Sequence, residues 1–251
     1  SLTQGTHMDS KVEYLRTMDT AARAENDKIA QFVGRILQRE QQIEIFNSEG
    51  LHTRDVRHYS RIAATAVAED GGAQSSGYEA PGALTGWEFH DAHNPQELAQ
   101  RAAKQAMVKL YAADCPSGEM PVVIGNGFGG VIFHEACGHL LETTSVEKKA
   151  SVFHDKMGEM IASSVVSAVD DGLMPNTWGS INIDDEGLPT QRTQLIKDGK
   201  LTSFMVDRVG AMKTGYEPTG SGRRQSYKFA PASRMRNTYI EAGNDSLDSM
   251  I

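Results

Sequence analysis

His134, Glu135 and His139 form the string His-Glu-x-x-x-His, two imidazoles with a carboxylate beside the first. A zinc ion that activates water needs about three protein ligands, an open position for water or substrate, and a nearby carboxylate to accept the water proton. His134 and His139 supply two such ligands and Glu135 the base. The familiar metallopeptidase helix places its histidines four residues apart, an offset of about 40° around the axis. Here His139 follows His134 by five residues, and at about 100° per residue the offset grows to about 140°. Both imidazoles can meet one ion only if the helix is widened, bent or ended between them, and Gly138 offers backbone freedom for that distortion. The competing reading makes both histidines ordinary polar residues near a helix start, with Glu135 favouring the positive end of the helix dipole.

Neighbouring residues leave further alternatives open. Cys137 can reach a metal, or fill a tight helix contact as a small buried side chain. His154 and Glu159 are candidate third ligands or solvated surface residues. Gly125-Asn126-Gly127-Phe128-Gly129-Gly130 can let a peptide approach the backbone and add as a strand, or it is a turn needing unusual dihedrals. Gly125, Gly127 and Gly130 also fit Gly-x-Gly-x-x-Gly, so a dinucleotide-dependent oxidoreductase is a rival that requires a strand-helix-strand unit. Arg223, Arg224, Tyr227 and Arg234 can bind a peptide carboxylate or an oxyanion, or serve as surface and structural residues.

The elements that must position these groups are legible in part. Asp9 or Ser10 can cap a helix to about Ala24 with Val12, Leu15, Met18 and Ala22 on one face. Ile29 to Ala68 reads as an antiparallel meander of about four strands, with Asn47-Ser48-Glu49-Gly50 as a turn. Glu69 to Gly86, rich in Gly, Ala and Ser, reads as a loop or module boundary. Asn94 and Pro95 are an N-cap and first-turn proline for a helix to about Ala113. Pro121 to Ile124 is expected as a short strand before the glycine loop. Beyond the motif, Ile161 to Val169, Ser180 to Asp184, Gln194 to Lys197, Leu201 to Val206 and Thr238 to Glu241 read as strands, and Lys197-Asp198-Gly199-Lys200 as a hairpin turn. The expected fold is α+β: an antiparallel strand meander with helices, then a strand-rich C-terminal region carrying the metallopeptidase helix. The expected division is 1–115, part of an N-terminal α/β domain, and 116–251, the truncated start of a C-terminal metallopeptidase domain.

Composition bounds the function. The 251 residues carry a net charge of -8 with 39% hydrophobic residues, which argues for a globular chain and against a broad cationic footprint for DNA or RNA. No apolar run approaches the roughly 18 residues of a membrane span. Ser1 to Ser10 lacks a signal-peptide pattern, and Gly5-Thr6-His7-Met8 reads equally as a cloning remnant or a native start. Two cysteines, Cys115 and Cys137, exclude a disulfide framework and fit a reducing cytoplasm.

Phe133-His134-Glu135-Ala136-Cys137-Gly138-His139, the Gly125 to Gly130 loop and Gly222-Arg223-Arg224-Gln225-Ser226-Tyr227 together resemble the TldD/PmbA metallopeptidase family. Asn47-Ser48-Glu49-Gly50, Ala68-Glu69-Asp70-Gly71-Gly72 and Arg234-Met235-Arg236-Asn237-Thr238-Tyr239 extend the likeness over most of the chain. The TldD branch is the nearer match because its His-Glu-x-x-x-His motif is intact. The resemblance implies a cytoplasmic, zinc-dependent peptidase that works with a TldE/PmbA-type partner subunit and trims unfolded or leader peptides. It assigns His134 and His139 to zinc and Glu135 to general-base catalysis. It places the third ligand, a cysteine, downstream of Ile251, so this chain is expected to be a fragment lacking both ends of a full subunit. A noncatalytic peptide-binding or assembly role is the alternative for such a fragment.

Overall fold

The structure, a computed structural model, describes residues 8–251. The chain divides into two compact units, Ser1–Gln41 with Val56–Glu119, and Gln42–Asp55 with Met120–Ile251.

The first unit opens with α1 (Met8–Glu25). Met18, Ala21 and Ala22 are buried while Val12 faces solvent, so the apolar stripe is narrower than its spacing suggests. Asp9 and Ser10, expected to cap this helix, lie within its first turn instead, and the Gly5 to His7 stretch lies outside the described residues. In place of the expected four-strand meander the chain forms two long strands, β1 (Ile29–Phe46) and β2 (His52–Asp70), neighbours in one sheet. Alternation persists through the polar clusters that had suggested breaks: Ile62, Ala64, Ala66 and Ala68 point into the core, and the half-buried Arg61, Ala63, Thr65 and Val67 occupy the other face. Asn47 sets the turn between them, its side-chain oxygen accepting from Glu49 N and Leu51 N at 3.0 Å each, with Gly50 at φ 89°.

Glu69 to Gly86 is not a loop. Gly71 and Gly72, both at positive φ, turn the chain into β3 (Ala73–Glu79), antiparallel to β2, and β4 (Gly82–Ala83) pairs with β2 at Ser60 and Arg61. After the short α2 (Glu88–Asp91), Asn94 caps α3 (Pro95–Leu110) by accepting from Gln96 N at 2.9 Å. Leu98, Ala99, Ala102, Ala103 and Ala106 of α3 join Met18 and the β2 alanines in one core. Small residues let the layers approach closely: a Cβ on Gly77 of β3 would lie 1.9 Å from the Ala102 carbonyl oxygen.

In the second unit Pro121 to Ile124 is not a strand. Val122, Val123 and Ile124 are exposed, and among the described residues no backbone pairs with them, whereas a strand persists only where a neighbour takes its hydrogen bonds. Gly127–Gly130 forms a 3-10 turn leading into α4 (Val131–Ala136), and α5 (Thr143–Val146) follows. A sheet of order β10-β5-β6-β7 combines β5 (Ala168–Asp171), β6 (Arg192–Lys197), β7 (Lys200–Leu201) and β10 (Asn237–Ile240), all antiparallel. Asp198 and Gly199, at φ 49° and 80°, make the expected hairpin turn between β6 and β7. Ser180 to Asp184 contributes a single bridge at Ile183 instead of the expected strand, and of Leu201 to Val206, Leu201 alone lies in a strand, β7, with a single bridge at Met205. The seven-residue α6 (Arg208–Thr214) is capped by Asp207, and β8 (Gly222–Arg223) pairs with β9 (Ala232–Ser233). Phe133, Leu141, Leu195, Ile196, Leu201, Phe204, Met205 and Met235 are among the core residues. The same unit holds an ion pair with both side chains fully buried, Arg236 Nε donating to Asp170 Oδ2 at 2.7 Å.

The architecture is α+β. No parallel strand-helix-strand unit accompanies the glycine loop among the described residues, which removes the structural premise of the dinucleotide reading. No described helix is long and apolar enough to cross a membrane.

Candidate metal centre

The helix carrying the motif breaks between its two histidines. α4 ends at Ala136, Cys137 leaves helical geometry at φ -133° and ψ -51°, and the chain resumes as a 3-10 turn over Gly138–Leu141. This break cancels the divergence that five-residue spacing imposes on a straight helix. The imidazoles of His134 and His139 stand perpendicular, with ring centroids 4.7 Å apart. One ligand atom each from His134, Glu135 and His139 lies within 4.8 Å of the others. Tetrahedral zinc with ligands at about 2.0–2.1 Å holds its ligand atoms about 3.3 Å apart, so the three atoms stand somewhat wider than a closed ligand set and near enough for a metal ion and its water to lie among them. The donor set, two imidazoles and a carboxylate, is of the kind that zinc accepts.

Gly138 contributes differently from the expectation. Its φ lies outside the positive range, but a Cβ there would lie 2.3 Å from Met235 Sδ. Glycine is needed for close approach, and the break itself falls at Cys137. Cys137 packs against the second core and stands outside the His134, Glu135 and His139 group; burial pushes its thiol up to about 11. His154 and Glu159 are also outside that group: His154 Nδ1 meets Ser151 O at 2.9 Å, and Glu159 pairs with Lys156 at 3.2 Å.

The histidines open on a cavity of about 840 Å³ whose lining includes Trp178, Arg223, Arg224, Phe229, Arg234 and Met235. Arg223 Nη1 donates to Met235 O at 3.1 Å, and Arg224 Nη2 to Asp185 O at 3.2 Å. Tyr227, 84% exposed, is not part of the lining. Glu135 is 66% exposed and approaches His139 Nε2 at 4.0 Å.

The reading from sequence missed Glu142, three residues after His139. Its side chain is 4% exposed; Oε1 lies 3.3 Å from His139 Nδ1 and accepts from Met235 N at 3.3 Å, while Oε2 faces Arg234 at 3.7 Å. Burial raises its pKa, and the charges of Arg234 and His139 act against the rise. The signal was present, since an i,i+3 acid after a histidine can fold back on it, but such a spacing is common on exposed helices.

Residues 117–251 match the PmbA/TldA metallopeptidase C-terminal domain, and residues 6–110 match the central domain of the same proteins. The chain belongs to the TldD/PmbA metallopeptidase family. It is 37% identical to a metalloprotease TldD homolog of Haemophilus influenzae over 97% of this chain and 52% of that protein. A Methanothermobacter thermautotrophicus metalloprotease is 34% identical over 82% of this chain and 45% of its own length. The crystal structure of TldE from Thermococcus kodakarensis superimposes with a TM-score of 0.74 at 22% identity, covering 95% of this chain and 53% of that one. At that identity the likeness speaks for the fold alone. The chain spans about half the length of the curated relatives it matches.

Proposed function

We propose that this TldD/PmbA chain carries the zinc site of a peptidase acting on unfolded or leader peptides. The observation that carries the reading is the convergence of His134, Glu135 and His139 to within 4.8 Å across a helix break, beside an open cavity. Bound zinc supplies a polarised carbonyl and an acidified water. His134 and His139 are its ligands. Glu135, largely exposed, accepts the proton from the attacking water and hands it to the leaving amine. With Glu135 as base, one protein-ligand position remains, and the family resemblance fills it with a downstream cysteine. Trp178 and Phe229 beside the guanidinium groups of Arg224 and Arg234 give the cavity both apolar and donor surfaces for an extended peptide. A TldE-type partner subunit and a cytoplasmic setting belong to the same proposal.

The test uses the full-length protein with its partner subunit. Glu135→Gln is expected to abolish hydrolysis of an unfolded peptide while sparing zinc binding. Substantial turnover in that variant would sink the assignment. If the parent protein binds peptide but hydrolyses none in the presence of zinc, the chain has a noncatalytic binding or assembly role instead.

A further inference from the structure

Glu142 is a buried carboxylate whose polar partners His139, Arg234 and Met235 lie on the motif or the cavity wall. Taking a carboxylate out of water is costly unless its oxygens meet donors. Here the Met235 backbone N–H donates to Oε1, the Arg234 guanidinium stands as a cation 3.7 Å from Oε2, and the third neighbour is His139 Nδ1, 3.3 Å from Oε1. The backbone around Glu142 is held as firmly as its side chain. Met205 N donates to Leu141 O at 2.9 Å, Thr143 N donates to Met205 O at 2.9 Å, and Glu142 bridges Met205 in parallel register. The carboxylate therefore stands on a fixed platform, with one oxygen turned to the ring nitrogen of His139 that points away from Glu135. The opposite nitrogen, Nε2, is the one that faces Glu135.

We infer that Glu142 is a positioning residue: it accepts a hydrogen bond from His139 Nδ1–H, fixes that tautomer and ring orientation, and so presents Nε2 as the metal-ligating atom. Histidine ligands commonly gain their orientation from such an outer carboxylate, and its loss lowers metal affinity about 10–100-fold. Arg234 holds the carboxylate from its other oxygen. The inference rests on the proposed metal site for its purpose, but the state of the His139 ring can be read with no metal present.

The experiment is ¹⁵N imidazole spectroscopy of the metal-free full-length protein above the histidine titration range, together with its zinc affinity by chelator competition. The expected wild-type result is His139 as the Nδ1–H tautomer. Glu142→Leu is expected to release the ring to a mixture dominated by Nε2–H and to weaken zinc binding about 10–100-fold. Glu142→Gln, which keeps an acceptor oxygen, is expected to retain the Nδ1–H tautomer and to lose less affinity than Glu142→Leu. An Nε2–H tautomer in the wild type overturns the inference without any variant. So does a cooperatively folding Glu142→Leu chain with an unchanged tautomer. If Glu142→Leu does not fold, the wild-type spectrum and the glutamine variant still decide. The expected tautomer in a full-length protein that takes up no zinc would leave this contact standing and remove the metal site instead.

Discussion

Replacing Gly138 by alanine puts a methyl group where the structure leaves no room for one. The new Cβ would stand 2.3 Å from Met235 Sδ and 3.2 Å from Met235 Cε, so the thioether must retreat by about 1 Å to reach ordinary contact. Two effects oppose each other. Alanine gains about 1 kcal/mol over glycine in a helical turn, while forcing extra volume into a packed core costs about 1–3 kcal/mol. Met235 is only 6% exposed, so its thioether has packed neighbours rather than solvent to swing into. Overpacking should win, with a net loss of about 1–2 kcal/mol at the upper part of that range, read as a lower urea midpoint at unchanged slope. Gly130→Ala is the control. Gly130 already has helical angles, φ -59° and ψ -18°, and nothing lies within 4 Å of the point its Cβ would occupy; it should be neutral or stabilising. A Gly138→Ala chain as stable as the parent, beside a well-behaved Gly130→Ala, would refute the packing argument.

Three further outcomes follow from the same structure. His90 is 1% exposed and stacked on Trp87, and burial pushes its pKa down to about 4 from 6.5. The unfolded chain therefore binds the proton first, and stability that is complete above about pH 6.5 falls by about 3 kcal/mol as pH drops toward 4; thermal melts of the parent should show this slope, and His90→Phe should lack that part of it. Gly77→Ala sets its methyl 1.9 Å from Ala102 O and 2.7 Å from Ala106 N, backbone atoms of α3 that cannot swing aside. Its loss of stability should reach the upper end of the roughly 1–3 kcal/mol overpacking range, and a denaturation curve matching the parent would contradict the close approach. Iodoacetamide at pH 8 should alkylate exposed Cys115 well before Cys137, whose thiol burial holds near pH 11; equal rates would place Cys137 outside the core.

Local signals carried much of the fold into view. Asn94-Pro95 and Asn47-Ser48-Glu49-Gly50 work through their own side chains and dihedrals, so the cap and the turn are where their residues imply. The break between His134 and His139 was legible for a geometric reason, because five-residue spacing and a shared ion are incompatible with a straight helix. Part of what escaped was local and overlooked, and the rest depends on partners distant in sequence. Gly71, Gly72 and Gly77 read as loop composition, yet the first two turn a hairpin and the third admits α3 against β3. Val122 to Ile124 have strand composition with no strand beside them among the described residues. Glu142 resembles any helix acid until Arg234 and Met235, some ninety residues away, are seen to hold its carboxylate.

The central claim is that His134 and His139 hold one zinc ion across the helix break. Zinc content after reloading and dialysis tests it most directly, measured by elemental analysis on the full-length protein and on its His134→Ala and His139→Ala variants. The account predicts about one zinc per parent chain and a loss of it in each variant, with the fold retained. Undiminished zinc in either folded variant, or none in the parent, would contradict it.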